Sequence, residues 1–443
     1  MQKGKFTKES KSKISMFPSL HSGKTAKYFY AISAEAIRNR PTAKRGKFTK
    51  ETARCLLMVR FAHISDVHLG GWKQQPMQDL NFESFQMAMD ICINKKLDFI
   101  LIAGDLFDSA YPSIEILKKT FYEFRKLKRA NIPCFIIAGS HDYSVSGKTF
   151  LDVLEKAGFC KNVEDYEDKE DLILLNPTIH KGVAIYGYPG KKTGLEIPDL
   201  RRIKLNDSPG MFKIFMLHTT IDKAKGTLPI DSIETDLLPH SDYYALGHLH
   251  IDFQYQNFVY PGPVFPNNFQ ELEDLQQGSF YIVDTEMENS LQKIELKIKE
   301  IVSIEVHIKN ALEATEQIIS ELDKKNLENK IVLLRVKGEL EHGKNSDIKF
   351  DQIEEFVNQK QAYFLLRNTH DLKTKEIKLE VEVKDTENIE EETIKIYSEK
   401  HPSDFNKLIP QLINSLSIEK QEGETTENFS TRVIDEAKKI LKF

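Results

Sequence analysis

The sequence predicts an α/β protein: a helix-covered sheet core, a smaller α+β domain after it, and helices at the C-terminus. Three features carry that expectation. From Met58 to about Asp284, short apolar runs of strand type alternate with helix-period segments. Five of the runs end directly in blocks rich in histidine, aspartate and glycine. From about Asn289 the chain changes to alternating apolar and polar positions, the pattern of strands with one face in water.

The five strands are expected over Val59–Ile64, Phe99–Ala103, Phe135–Ala138, Ile214–Leu217 and Tyr243–Leu246. The blocks behind them are DVH (Asp66–His68), GDLFD (Gly104–Asp108), GSHD (Gly139–Asp142), LH (Leu217–His218) and GHLH (Gly247–His250). Strands of an α/β sheet bring their carboxyl ends to one edge, so residues far apart in sequence can converge there. Leu80–Lys95 and Ser113–Arg129 are the clear helices. The first carries Phe82, Phe85, Met89 and Cys92 on one stripe, with Met87 and Ile91 on another. One stripe covers the sheet; the second suits either residual core or self-association.

Beyond residue 289, strands are expected at Ile294–Ile298, Val302–Ile308, Ile331–Val336 and Ile377–Val383, with helices at Ala311–Lys324 and Phe350–Gln359. The acidic stretch Asp385–Glu392 reads as a linker. Two amphipathic segments follow, one with Leu408, Ile409, Leu412, Ile413 and Leu416, the other with Phe429, Val433, Ala437, Ile440 and Leu441. Both fit either ordinary core or a partner's groove. The expected division is a basic, disordered extension over 1–57, a metal-bearing domain over 58–288, a small domain over 289–384, and linker plus helices over 385–443.

Charge is uneven along the chain. The first 57 residues hold 14 of the 62 Lys+Arg and 3 of the 67 Asp+Glu, so the remainder carries 48 against 64, a net −16. Affinity for nucleic acid must then come from local basic loops, bound metals or a partner. The extension contains a near-repeat, KGKFTKE at Lys3–Glu9 and RGKFTKE at Arg45–Glu51. Cys55, Cys92, Cys134 and Cys160 show no paired spacing, which argues against a disulfide scaffold or a zinc site. No apolar stretch approaches the ~18 residues that span a bilayer. No secretory signal is evident, so the expectation is a soluble, cytoplasmic protein.

Chemically, the blocks supply imidazole nitrogens and carboxylate oxygens, the donors of first-row divalent cations. In extended chain Asp66 and His68, two apart, would share a face, as would His248 and His250. Asp105 follows a glycine and has two oxygens, enough to bridge two cations about 3.5–4 Å apart. The remaining histidines have no such context, and His63, inside an apolar strand, is expected to be core.

HISDVHLG, IAGDLFDSAYPS, IAGSHDYS and YYALGHLH together resemble the calcineurin-like metallophosphoesterase superfamily, and within it the DNA-repair nuclease branch called SbcD or Mre-eleven. The resemblance implies a metallophosphoesterase sandwich core, with the small domain as a cap beside the active site. By motif position it assigns Asp66, His68, Asp105 and His250 to one metal. Asp105, Ser140, His218 and His248 fall to the other, and His141 assists the reaction without binding metal. Ser140 stands where the family has asparagine. A hydroxyl is a shorter, weaker neutral donor, which bears on the second site's affinity and not on its existence. Asp108 would orient a ligand or a water.

The resemblance further implies two Mn²⁺ per subunit and a 3′–5′ exonuclease and endonuclease acting on DNA double-strand breaks. It implies a homodimer through helices 80–95 and 113–129, docking of an SbcC/Rad-fifty-type coiled-coil ATPase on the C-terminal helices, and association with the nucleoid. Two other functions remain open at this point. One is a phosphoesterase of the same fold acting on phosphoprotein or small nucleotides; the other is a mainly structural subunit that tethers DNA.

Overall fold

The computed structural model describes residues 59–144, 149–227, 229–286 and 290–374, with C-terminal pieces at 394–395, 397–399, 402–418, 420 and 426–441. The expected extension 1–57, the strand at 377–383 and the acidic linker lie outside the described residues.

In chain order the strands of the first part are β1 (Arg60–Ile64), β2 (Phe99–Ala103), β3 (Cys134–Ile137), β4 (Lys161–Asn162), β5 (Tyr166–Lys169), β6 (Leu172–Leu175), β7 (Thr178–His180) and β8 (Val183–Tyr188). They continue as β9 (Ile203–Leu205), β10 (Phe212–His218), β11 (Tyr243–Gly247), β12 (Asp252–Tyr255), β13 (Phe258–Pro261), β14 (Gly278–Asp284) and β15 (Ser290–Leu296). Two six-stranded sheets result, in the orders β15-β14-β1-β2-β3-β4 and β12-β13-β11-β10-β8-β7, and β5-β6-β9 form a small third sheet. β1, β2 and β3 run parallel, as do β8, β10 and β11. All of these parallel strands therefore point their carboxyl ends the same way within their sheet.

The strands are apolar on both faces because both faces are covered. Phe61, Phe99, Leu101, Phe135, Ile137, Ile185, Ile214, Met216 and Tyr243 fill the space between the sheets. The alternate residues Ala62, Ile64, Ile100, Ile102 and Ile136 pack beneath the helices α1 (Gln75–Asn94) and α2 (Ile114–Arg129). On the far side, Tyr186, Tyr188, Phe215, Leu217, Tyr244 and Leu246 build a third core. Helix α1 buries Met77, Leu80, Ser84, Phe85, Ala88, Met89 and Cys92, one continuous face at helical spacing. It begins five residues earlier than the apolar periodicity suggested, with Pro76 in its first turn, where no N–H partner is required. The second stripe, Met87 and Ile91, packs partly against the same core. On α2, capped by the Ser113 side chain, Ile114 and Tyr122 are exposed.

β15, expected in the small domain, pairs with β14 along its whole length and completes the first sheet. The change of unit therefore falls after Leu296. The short helices α3 (Leu151–Lys156), α4 (Ile197–Leu200) and α5 (Phe269–Leu275) complete the large unit. Next come β16 (Ile301–His307), α6 (Ala311–Asp323), β17 (Ile331–Leu340), α7 (Phe350–Gln359), β18 (Phe364–Asn368) and β19 (Leu372–Thr374). β16, β17 and β18 are parallel, with the two helices as crossovers. Ile331, Leu333 and Leu366 of this unit pack on Trp72, Met77, Leu80, Phe265 and Leu272 of the large one. Tyr363 Oη also donates to the Pro76 carbonyl at 3.0 Å. In the C-terminal part, α8 (Ile409–Leu416) contacts α9 (Thr426–Leu441), and α8 buries none of its residues.

His63 lies wholly buried between the sheets, its Nδ1 2.9 Å from the Tyr243 hydroxyl. Burial pushes its pKa down to about 3, so the folded protein holds it neutral. The folded value lies below the unfolded value of 6.5. Stability from this residue is intact above pH 6.5 and is lost as pH falls towards 3, because only the unfolded chain takes up the proton. Substitution His63→Gln should remove this dependence. Urea titrations across pH 6.5–3 should show wild type losing stability relative to the variant by roughly 1.4 kcal/mol per pH unit. Parallel curves would mean that His63 titrates alike in both states.

Candidate metal centre

The loops after β1 and β2 run side by side and hold each other. Val67 and His68 both donate their N–H to the Asp105 carbonyl, at 2.9 and 3.0 Å, and Leu69 donates to Leu106 at 3.0 Å. Within these loops Asp66, His68 and Asp105 have φ of 51°, 46° and 51°, and His248 beyond β11 has φ 95°. These are left-handed conformations that cost about 1–3 kcal/mol each and persist only when surroundings over-determine them. Asp66 and His68 therefore do not converge by extended-chain alternation, nor do His248 and His250; tight left-handed turns aim them inward.

All eight residues expected from the motifs, Asp66, His68, Asp105, Ser140, His141, His218, His248 and His250, gather at the carboxyl ends of β1, β2, β3, β10 and β11. Asp105 is the shared member. Its Oδ2 lies 3.1 Å from His218 Nε2 and 3.6 Å from His68 Nε2, and accepts from Ser140 Oγ at 3.4 Å. Its Oδ1 accepts from the His141 N–H at 2.8 Å. Asp66 Oδ1 accepts from the His248 N–H at 2.9 Å and sits 3.8 Å from His250 Nε2. Glycines make the approach feasible: a Cβ on Gly139 would collide with the Asp105 carboxylate, and one on Gly247 with the Ala103 carbonyl.

The donor set fits divalent cations. His68 Nδ1 faces Asp108 Oδ1 at 3.1 Å, and His250 Nδ1 faces Glu271 Oε1 at 2.9 Å. Each carboxylate fixes the Nδ1–H tautomer, which turns both Nε2 lone pairs towards each other at 3.1 Å. Two lone pairs so close repel unless a positive charge lies against them. His218 repeats the pattern. Its Nδ1 donates to the Ala103 carbonyl at 2.9 Å, which leaves its buried Nε2 facing Asp105 Oδ2 at 3.1 Å.

The electrostatics agree. Burial opposes the charged form of His218, but the Asp105 and Asp66 carboxylates outweigh it and hold its pKa up at about 10. Burial also opposes ionisation of Asp105, but His218, His68 and the His141 amide pull it well below the ordinary carboxylate value. His248 is pushed down to about 4, by burial first and then by the charge on His218. The carboxylates thus draw positive charge to His218, while His248 stays neutral with a ring-nitrogen lone pair to offer.

His141 stands apart from this core. Its side chain is 49% exposed, and its Nδ1 lies 3.0 Å from the Asp108 carbonyl and 3.7 Å from the Asp108 carboxylate. With Nδ1 so engaged, Nε2 is left to the cleft of about 770 Å³ that His141 lines together with Ser140, Tyr111, Lys192, Glu196 and His248.

Two contributors lie outside the expected set. Glu271 is held on α5, whose N-terminal Asn268 accepts the Glu271 N–H at 2.9 Å. The signal was present as an N-x-x-E capping pair at Asn268–Glu271, which marks a helix start and says nothing of a histidine partner. Asp142, the last residue of GSHD, is fully buried and accepts from Phe107 N at 3.0 Å, Gly139 N at 3.0 Å and Leu106 N at 3.3 Å. It ties the Asp105 loop to the Ser140 loop. Burial and the nearby Asp105 charge push its pKa up to about 7.

Residues 59–252 match the calcineurin-like phosphoesterase family. The chain thus carries a calcineurin-like metallophosphoesterase domain. It is similar to the DNA double-strand break repair protein Mre11 of Archaeoglobus fulgidus, 27% identical over 61% of this chain and 65% of that protein. The corresponding protein of Saccharolobus solfataricus is 32% identical over 44% of this chain and 50% of its own length. An uncharacterized metallophosphoesterase, YhaO of Bacillus subtilis, is 28% identical over 51% and 57%. The chain therefore spans between half and two-thirds of these relatives.

Asp142→Ala should leave three buried N–H groups unpartnered, at about 1–3 kcal/mol each. A loss of roughly 3 kcal/mol or more in urea unfolding, without metal, is the expected result. A change below about 1 kcal/mol would show that water replaces the carboxylate without penalty.

Proposed function

We propose that this chain is a manganese-dependent DNA nuclease, acting as 3′–5′ exonuclease and endonuclease, and a subunit of a double-strand-break repair complex. One observation carries the reading: Asp105 Oδ2 lies within 3.6 Å of donors from both halves of the cluster, as a carboxylate shared by two cations requires. Asp66, His68, Asp105 and His250 would hold one cation. Asp105, Ser140, His218 and His248 would hold the other. The Mre11 relatives support DNA as substrate, and the identity of the metal as Mn²⁺ rests on the family resemblance.

When bound, the two cations supply charge for the phosphodiester oxygens and lower the pKa of a water towards neutrality. The protein's own part is orientation and proton transfer. Asp108 and Glu271 fix the His68 and His250 rings by their Nδ1–H groups. Asp108 also steers His141, whose Nε2 would protonate the leaving 3′ oxygen as the P–O bond breaks.

Two surfaces fit the partners. Ile114 and Tyr122 of α2 are large apolar side chains left exposed, suited to a homodimer through the α1 and α2 helices. Ile413 and Leu416 of α8 and Ile434 of α9 are 36%, 57% and 52% exposed. Apolar area on such helices costs roughly 25 cal/mol per Å² to leave in water, so a groove on a coiled-coil ATPase of SbcC/Rad-fifty type is their proposed destination.

Mn²⁺-loaded protein offered duplex DNA, single-stranded DNA and a generic phosphomonoester should cleave DNA. Cleavage of the monoester alone would replace the nuclease with a phosphatase, and no cleavage would favour a tethering subunit. His141→Ala should retain its Mn²⁺ while turnover falls by about 10²–10⁴-fold. Asp105→Ala should lose both. Metal loss in His141→Ala in proportion to activity would make His141 a ligand instead.

Truncation after residue 400 should spare cleavage of short DNA and abolish co-purification with the ATPase. Equal recovery of truncated and full-length chains would move the docking surface elsewhere.

A further inference from the structure

Helix α5 has only seven residues, and two of its side chains reach in different directions. Glu271 turns to the metal centre, where Oε1 holds His250 Nδ1 at 2.9 Å and Oε2 accepts the Asn267 N–H at 2.8 Å. Glu273 turns to the small unit, where Arg335 of β17 meets it with Nη2 at 2.5 Å from Oε2 and Nε at 3.4 Å from Oε1. Arg335 Nη2 also donates to Gln270 Oε1 at 2.9 Å, and its guanidinium lies 5.0 Å from the centre of the Phe269 ring. One arginine thus grips three residues of this helix. The Arg335 and Glu273 side chains are only 13% and 19% exposed, and Leu272, next to Glu273 in the helix, is buried in one cluster with Ile331, Leu333 and Leu366 of the same small unit.

We infer that Arg335 is a positioning residue for the metal centre: through α5 it sets Glu271, and through Glu271 the ring of His250. A helix of two turns does not hold itself in water, since nucleation costs more than its few hydrogen bonds return. Its orientation comes from the contacts at its flanks, and the polar ones to Glu273 and Gln270 come from Arg335 of the small unit. A paired, partly buried guanidinium fork fixes both distance and angle, where an apolar contact alone would permit sliding. The effect should be confined to one half of the cluster. His218 is held by the Ala103 carbonyl of β2, inside the large unit, and owes nothing to α5. Placement of the small unit and cation affinity at the His250 side are then coupled.

The inference rests on the metal-site reading above, and Mn²⁺ titration of the full chain separates the two. Loss of a carboxylate that directly orients a ligand lowers affinity by about 10–100-fold. Arg335→Ala, one step further out, should weaken the His250-side site by roughly 3–10-fold, a fraction of that range, and leave the other unchanged. Glu271→Ala should weaken the same site by more. The charge swap Arg335→Glu with Glu273→Arg should restore affinity, which a general packing defect would not allow. Unchanged binding in Arg335→Ala overturns the inference, as does an equal loss at both sites that the swap fails to rescue. If wild type binds no Mn²⁺, the metal reading itself falls and takes the inference with it.

Discussion

Everything at the centre of this molecule depends on keeping Asp105 ionised where water cannot reach it. A carboxylate without solvent is costly unless neighbours replace the lost hydration. Here the replacement comes from His218, His68, Ser140 and the amide of His141, which lie at or beyond the ends of three different strands, β10, β1 and β3. That demand explains features that otherwise look expensive. The left-handed backbone at Asp66, His68, Asp105 and His248 aims side chains inward within a space of a few ångströms. Gly139 and Gly247 stand where any side chain would displace the carboxylate or the strand beside it. Asp142, itself reluctant to ionise, locks two of the loops together through backbone N–H groups.

The sheets matter because they make such a cluster rigid. β1, β2 and β3 in one sheet and β8, β10 and β11 in the other each present parallel carboxyl ends, and the packed layer between them sets their separation. The His218–Ala103 hydrogen bond crosses from one sheet to the other, so the two sheets cannot slide past each other here without breaking it. Even His63, with no part in the chemistry, shows how dry that layer is.

Sequence periodicity made the parallel strands legible because both faces are apolar, and the polar blocks at their ends made the centre legible because each supplies metal-type donors. β2 and α7 appear at the residues expected. β15 was assigned to the wrong unit for a physical reason: its alternation reports one wet face, which an antiparallel edge strand of the main sheet has as well. Glu271 and Asp142 escaped because their roles lie in partners far along the chain, which no local pattern encodes. The left-handed turns escaped because aspartate and histidine there carry no glycine signal; Asp105 is preceded by a glycine, but the strain falls on Asp105 itself as well.

The outer supports divide the cluster unequally. His218 is anchored by a core strand, and His68 by Asp108 in the loop that also holds His141. His250 alone depends on a short helix at the junction of two units. A site built only for static binding gains nothing from hanging one imidazole on a domain boundary, since every movement there is felt as lost alignment. A site that must respond to what its partner surfaces are doing gains from just that connection. The acidic body offers little long-range pull on a polyanion; on the proposed function, engagement of DNA would be decided by local contacts near the cleft and by the neighbouring unit. Placing the His250 support on that boundary puts metal affinity and the position of the small unit under one constraint.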